Sequence, residues 1–192
     1  MGISARETRA AYLAAAEAEL KSLEARGVRM EGDGFSPIVL VKGELNDAER
    51  AGAALLSGAD GTALRAALLR LGYAPEDFCA LATVAGDADD GSLAAGDEVP
   101  VELFREALEA LDPEAVVLLD GKAAHAMREA YADALAHIEQ FEVAMLEPGL
   151  VARVLGRRVL ALGGFEASLA DAASKQRVWA YLKQLPPLGS PY

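Results

Sequence analysis

The chain has 192 residues, 53% hydrophobic and 25% charged, with 30 acidic against 18 basic residues and a net charge of −12. That length supports one domain with a full core, and the composition excludes a disordered chain. The acidic total argues against a surface built to hold phosphates, which needs clustered Lys and Arg.

The single cysteine, Cys79, excludes an intrachain disulfide, a zinc ribbon and a four-cysteine cluster. No apolar block follows a basic one near the N-terminus, and no apolar run approaches the roughly 20 residues of a membrane span, so a soluble, cytoplasmic protein is expected.

In chain order, residues 6–26 read as one helix, rich in Ala, Glu and Leu, with Leu13, Leu20 and Leu23 near one face and Gly27 as its stop. A loop through Glu31-Gly32-Asp33-Gly34 leads to Ile38-Val39-Leu40-Val41, a continuous apolar run of the kind that forms a strand buried on both faces. A polar loop runs from Gly43 to about Ala54, and Thr62 to Leu71 is a helix closed by Gly72. Phe78 to Val84 is the second strand.

The stretch 86–98 is a loop with five acids and no base. A helix follows from Pro100 to Leu111, with proline in its first turn. Ala115 to Leu119 is the third strand, Lys122 to about Ile138 a helix, Val159 to Leu162 the fourth strand, and Ala172 to Leu185 the last helix. Strands alternating with helices predict a three-layer α/β/α domain over residues 1–185 with a central, mainly parallel four-stranded sheet. Residues 1–27 form a helix packed on it, or a surface for self-association, and 186–192 are a short tail. Ligands of such sheets bind at the carboxyl ends of the strands, here Gly43-Glu44, the stretch after Val84, Asp120-Gly121 and Gly163-Gly164.

Three segments carry a resemblance. The first is Val39-Leu40-Val41-Lys42-Gly43-Glu44 with Ser57-Gly58-Ala59-Asp60-Gly61-Thr62-Ala63-Leu64. The second is Leu71-Gly72-Tyr73-Ala74-Pro75-Glu76-Asp77 leading into the second strand. The third joins residues 111–124 to Arg158-Val159-Leu160-Ala161-Leu162 and Lys175-Gln176-Arg177-Val178-Trp179. In this order and spacing the set resembles the uracil-DNA glycosylase superfamily, nearest to its bacterial iron–sulfur branch. It covers most of residues 35–185.

Excision of a base requires a flipped and stacked base, a group that reads its edge, a donor for the departing anion, and a carboxylate or amide that handles water or steadies the sugar cation. The resemblance places the water-handling position on Leu45, followed by Asn46 where the family has proline. It places the stacking Phe on Leu56, near Gly58, and the edge-reading Asn on Ala82, between Leu81 and Thr83. The His-Pro of the leaving-group turn falls on Gly164-Phe165, after Gly163. None of these side chains supplies the needed chemistry. The four cluster cysteines are absent, so neither an iron–sulfur centre nor any other cofactor or metal is expected.

The surviving acids in the first turn are Glu44, Asp47 and Glu49; Asn46 and Asp47 also suit a turn and helix cap. His125 and His137 are spaced as ordinary helix residues, and Cys79 as a core thiol. Arg153 with Arg157-Arg158 is the one notable basic cluster, and a surface cap on a helix end accounts for it.

The residues imply a degenerate glycosylase-like domain. It would serve as an interaction or small-ligand module, with a pocket lined by Gly43, Leu45, Asn46, Leu56, Gly58, Leu81, Ala82, Gly163, Gly164 and Phe165. Its partner would be a protein or small molecule rather than a membrane. Nucleic acid is implied by the resemblance and disfavoured by the charge, and the oligomeric state stays open. The alternative readings are an atypical DNA glycosylase or hydrolase using Glu44, Asp47 or Glu49, and an unrelated α/β fold.

Overall fold

The apolar runs that read as strands form the centre of one sheet in the computed structural model, which describes residues 5–74 and 78–189. The elements in chain order are α1 (Ala5–Ala25), β1 (Met30–Gly32), β2 (Ile38–Lys42), α2 (Asp47–Arg50), α3 (Ala59–Leu71), β3 (Phe78–Ala82), α4 (Val101–Leu111), β4 (Ala115–Leu118), α5 (Gly121–Ala130), α6 (Ala132–Leu135), α7 (Phe141–Ala144), β5 (Val151–Val154), β6 (Arg157–Ala161), α8 (Phe165–Ser168) and α9 (Ala172–Leu182). Among these residues no helix is long and apolar enough to cross a membrane.

The protein is a mixed α/β domain whose sheet has six strands in the order β1-β3-β2-β4-β6-β5, not four. The pairs β2–β3, β2–β4 and β4–β6 are parallel, and the edge pairs β1–β3 and β5–β6 are antiparallel. Every residue of β2, β3, β4 and β6 is buried, which is why these strands read as continuous apolar runs. The edge strands lack that signal: β1 is half to fully exposed, and β5 alternates between buried and exposed positions.

Successive residues of β2 face opposite sides of the sheet. Val39 and Val41 enter a core with Phe104, Leu108 and Met127 of α4 and α5. Ile38 and Leu40 enter a second core with Leu64, Leu68, Val178 and Leu182 of α3 and α9.

Three further differences have physical causes. The helix expected over 122–138 breaks at Tyr131, whose ring is fully buried and whose hydroxyl donates to Glu109 at 2.8 Å. Arg157 and Arg158 lie inside β6 and are buried instead of capping a helix on the surface. Arg157 is neutralised by Glu109 and Asp112, at 2.9 and 2.8 Å, and Arg158 donates to the Pro186 carbonyl at 2.7 Å. Finally, α1 touches the body only near its C-terminal end, through Leu20 and Leu23. Pro75–Asp77 of the second resembling segment and residues 190–192 of the tail lie outside the described residues.

Candidate functional site at the carboxyl ends of the parallel strands

The parallel strands β2, β3, β4 and β6 end on one edge of the sheet, and the loops after them surround a cleft of about 880 Å³. Its lining is about half polar, with Arg29, Glu44, Asn46, Asp47, Arg50 and Lys122 beside Leu45 and Val84.

Beneath it lies a charge cluster that sequence reasoning passed over. Lys42, the last residue of β2, is 3% exposed, and its ammonium contacts Asp60 at 2.5 Å and Glu49 at 2.8 Å, both buried; Glu166 on the rim stands 3.5 Å away. Burial works to lower the Lys42 pKa, but the hydrogen bonds to Asp60 and Glu49 and their charges outweigh it and hold the pKa above 10.5. Lys42 is therefore a fixed cation at neutral pH and no nucleophile.

Glu49 is committed to structure. Its Oε2 accepts the Asn46 N–H at 2.9 Å and Asn46 Oδ1 accepts the Glu49 N–H at 2.9 Å, a reciprocal capping box on α2. Its Oε1 accepts the Leu56 N–H at 2.8 Å. That bond, with Arg65 donating to the Leu56 carbonyl at 2.8 Å, fixes Leu56 at φ 55°, a conformation that costs a branched residue about 1–2 kcal/mol. Gly61 belongs to the same construction, because a Cβ there would run into the Leu56 carbonyl.

Asp120 ties two strand ends together. Its Oδ1 caps α5 by accepting the Ala123 N–H at 2.9 Å, and its Oδ2 accepts the N–H groups of Gly43 and Glu44 at 2.8 and 2.9 Å. Gly43 is required by this approach: a Cβ would lie 2.5 Å from that of Lys122 and 2.8 Å from the Ala123 nitrogen.

The expected site residues are partly brought together. Gly43, Glu44, Leu45, Asn46 and Asp47 line the cleft, and Gly164 and Phe165 border a small recess of about 60 Å³ above Lys42. Gly58 is the N-cap of α3 and Gly163 opens on a separate surface hollow. Leu56 and Leu81 belong to cores on opposite faces of the sheet, and Ala82 is buried at the end of β3. The Gly164 and Phe165 N–H groups both donate to the Leu119 carbonyl, at 3.2 and 2.7 Å, so they are not free to hold an anion.

Of the candidate acids, Glu49 is spent, Asp47 is fully exposed and paired with Arg50 at 2.6 Å, and Glu44 is exposed. His125 and His137 are exposed on other elements. Burial pushes the Cys79 thiol up to about 12, which leaves it inert. Among the described residues no three His, Cys, Asp or Glu side chains are grouped to hold a metal ion.

Lys42, Asp60 and Arg29 were missed because each reads as an ordinary strand-end, helix-start or loop residue, and Asp120 was expected at a strand end without its role in tying two strand ends together. The one available signal was a lysine closing an otherwise apolar strand. No protein-family model matches the chain, and no curated protein matches it.

Proposed function

We propose that the chain is a non-catalytic, uracil-DNA glycosylase-like module that binds a small charged ligand in the cleft at the end of β2. The observation that carries this reading is the state of the carboxylates. Those held rigidly in place (Glu49, Asp60 and Asp120) have their oxygens occupied by Lys42 or backbone N–H groups. Those not held by Lys42 or the backbone, Glu44 and the Arg50-paired Asp47, stand exposed on the rim. A general acid or base needs a group that is both held in position and free to reach the proton it moves, and neither set offers one.

The resemblance is supported by placement. The segments around Gly43-Glu44, Gly58–Leu64 and Gly164-Phe165 lie far apart in sequence, yet all stand at the same end of the parallel strands. The ligand class follows from charge. Arg29 donates to the carbonyls of Glu49 and Ala53, and Lys122 is exposed in the lining of the same cleft. Among the described residues neither has a carboxylate partner, so a small anion between them completes the charge pattern.

The deciding experiment is a single-turnover excision assay on single- and double-stranded uracil-containing DNA, run beside calorimetric titration with deoxyuridine monophosphate and inorganic phosphate. The expected result is no excision, with anion binding that weakens in Lys122→Ala. Excision that disappears in Glu44→Gln would replace this reading with a carboxylate-driven glycosylase.

A further inference from the structure

Helix α1 runs for 21 residues, about 30 Å, yet only Leu23 is buried. Its C-terminal turns sit on α4, held by Leu20, Leu23 and the Arg26 guanidinium, which meets the Glu106 carboxylate at 2.5 and 2.8 Å. From Ala5 to Glu19 no side chain is buried, and all but Ala16 are exposed. Along that length Arg9, Tyr12, Leu13 and Ala16 continue, at helical spacing, the stripe that Leu20 and Leu23 bury on α4. Together with Phe35 they border a hollow of about 680 Å³. Tyr12 is 74%, Leu13 42% and Phe35 49% exposed, so two large apolar side chains of α1 and one from the loop before β2 form one exposed patch.

Charge on α1 is divided along its length. Arg6 and Arg9 lie in the first half with one acid, Glu7, and Glu17, Glu19 and Glu24 lie in the second with one base, Lys21. Cations near a helix N-terminus oppose its dipole, and among the described residues neither Arg6 nor Arg9 has an ion-pair partner. A helix this exposed also lacks the tertiary packing from which most helices take their stability.

We infer that the exposed part of α1 is a docking surface for α1 of a second copy of this chain, running antiparallel and crossing between Tyr12 and Leu13. In that register Arg6 of one copy is level with Glu19 of the other, and Arg9 stands beside Glu17. The same patch serves both subunits, as a twofold interface requires. The helix carries three basic and four acidic residues, so two chains of net charge −12 meet where charge is nearly balanced. The contact is confined to one helix of each chain, so a reversible monomer–dimer equilibrium is expected rather than a permanent assembly. The inference is independent of the ligand cleft.

The test is sedimentation velocity on the full chain across a concentration series, with far-UV circular dichroism to verify the fold of each variant. The wild type is expected to show a concentration-dependent monomer–dimer equilibrium. Arg6→Glu/Arg9→Glu and Glu17→Arg/Glu19→Arg should each dimerise at least about tenfold more weakly, a loss of about 1.4 kcal/mol. Their equimolar mixture should recover the dimer. A wild type that stays monomeric throughout overturns the inference, as does a charge variant that dimerises like the wild type or a mixture that remains monomeric.

Discussion

The Lys42 ammonium lies 2.5 Å from Asp60 Oδ2, with each side chain only 3% exposed, and it meets the equally hidden Glu49 at 2.8 Å. One buried cation thus holds two buried carboxylates at the end of the central strand. Removing a single member of such a cluster leaves uncompensated charge, which costs about 3–5 kcal/mol, whereas replacing all members with neutral groups is far cheaper. Lys42→Met is expected to destabilise the fold by that amount in urea denaturation. Lys42→Met/Glu49→Gln/Asp60→Asn should regain a large part of it. If the triple variant proves less stable than Lys42→Met, the cluster does not behave as a charge-compensated unit.

Asp120 makes three charge-assisted bonds to backbone N–H groups, one as the cap of α5 and two to the turn after β2. Losing a cap costs about 1 kcal/mol, and the buried Gly43 N–H and the partly buried Glu44 N–H lose their acceptor. Asp120→Ala is therefore expected to cost about 3 kcal/mol. Amide hydrogen exchange should speed up at Gly43, Glu44 and Ala123 together. Faster exchange at Ala123 alone would show that Asp120 caps its helix without organising the cleft.

The parts of the molecule legible in the sequence are those with continuous burial. Ile38–Val41 and Ala115–Leu119 announce themselves because both of their faces are covered. Met30–Gly32 and Val151–Val154 do not, since an edge strand buried on one face or neither leaves only a few apolar residues to read. The acid-rich stretch from Glu44 to Glu49 was visible as a candidate site, but its division of labour was not. Glu49 and Asp47 differ by two positions on one helical turn, and only the fold turns the first inward to Lys42 and leaves the second in water. Lys42 itself was hidden by its type, because a lysine after an apolar run reads as the strand's exit into solvent.

The β5–β6 hairpin turns on Leu155 and Gly156, at φ 47° and 86°, between the paired residues Val154 and Arg157. Two central residues at positive φ match the twist of a two-residue hairpin, and asparagine or aspartate before glycine is the favoured pair. Leu155 is 56% exposed, so its side chain offsets little of the left-handed strain, about 1 kcal/mol. Leu155→Asn is expected to stabilise the protein by about that much, read as a higher urea midpoint at unchanged slope. A lower midpoint would mean that the leucine makes apolar contacts worth more than the strain it carries.

Stability should fall on the alkaline side through several groups acting in the same direction. The Cys79 thiol ionises near 9.0 when free of the fold and is pushed up to about 12 by burial within it. Burial likewise raises Tyr73 and Tyr131, the latter with help from its bond to Glu109. Lys42 keeps its proton above its ordinary 10.5, because the bonds to Asp60 and Glu49 outweigh desolvation.

In each case the folded chain retains a proton that the unfolded chain has released. The unfolded state therefore binds fewer protons, and stability declines with rising pH. The Lys42 contribution is fully present below 10.5 and disappears as pH climbs through its raised folded value. The Cys79 contribution to the decline begins near 9.0. Urea midpoints measured from about pH 7 to about pH 11 should hold level and then drop, the onset moving to higher pH in Cys79→Ala. A midpoint that stays level across the whole range would show that these groups titrate alike in both states, and that neither the thiol nor the Lys42 cluster is as deeply held as the geometry indicates.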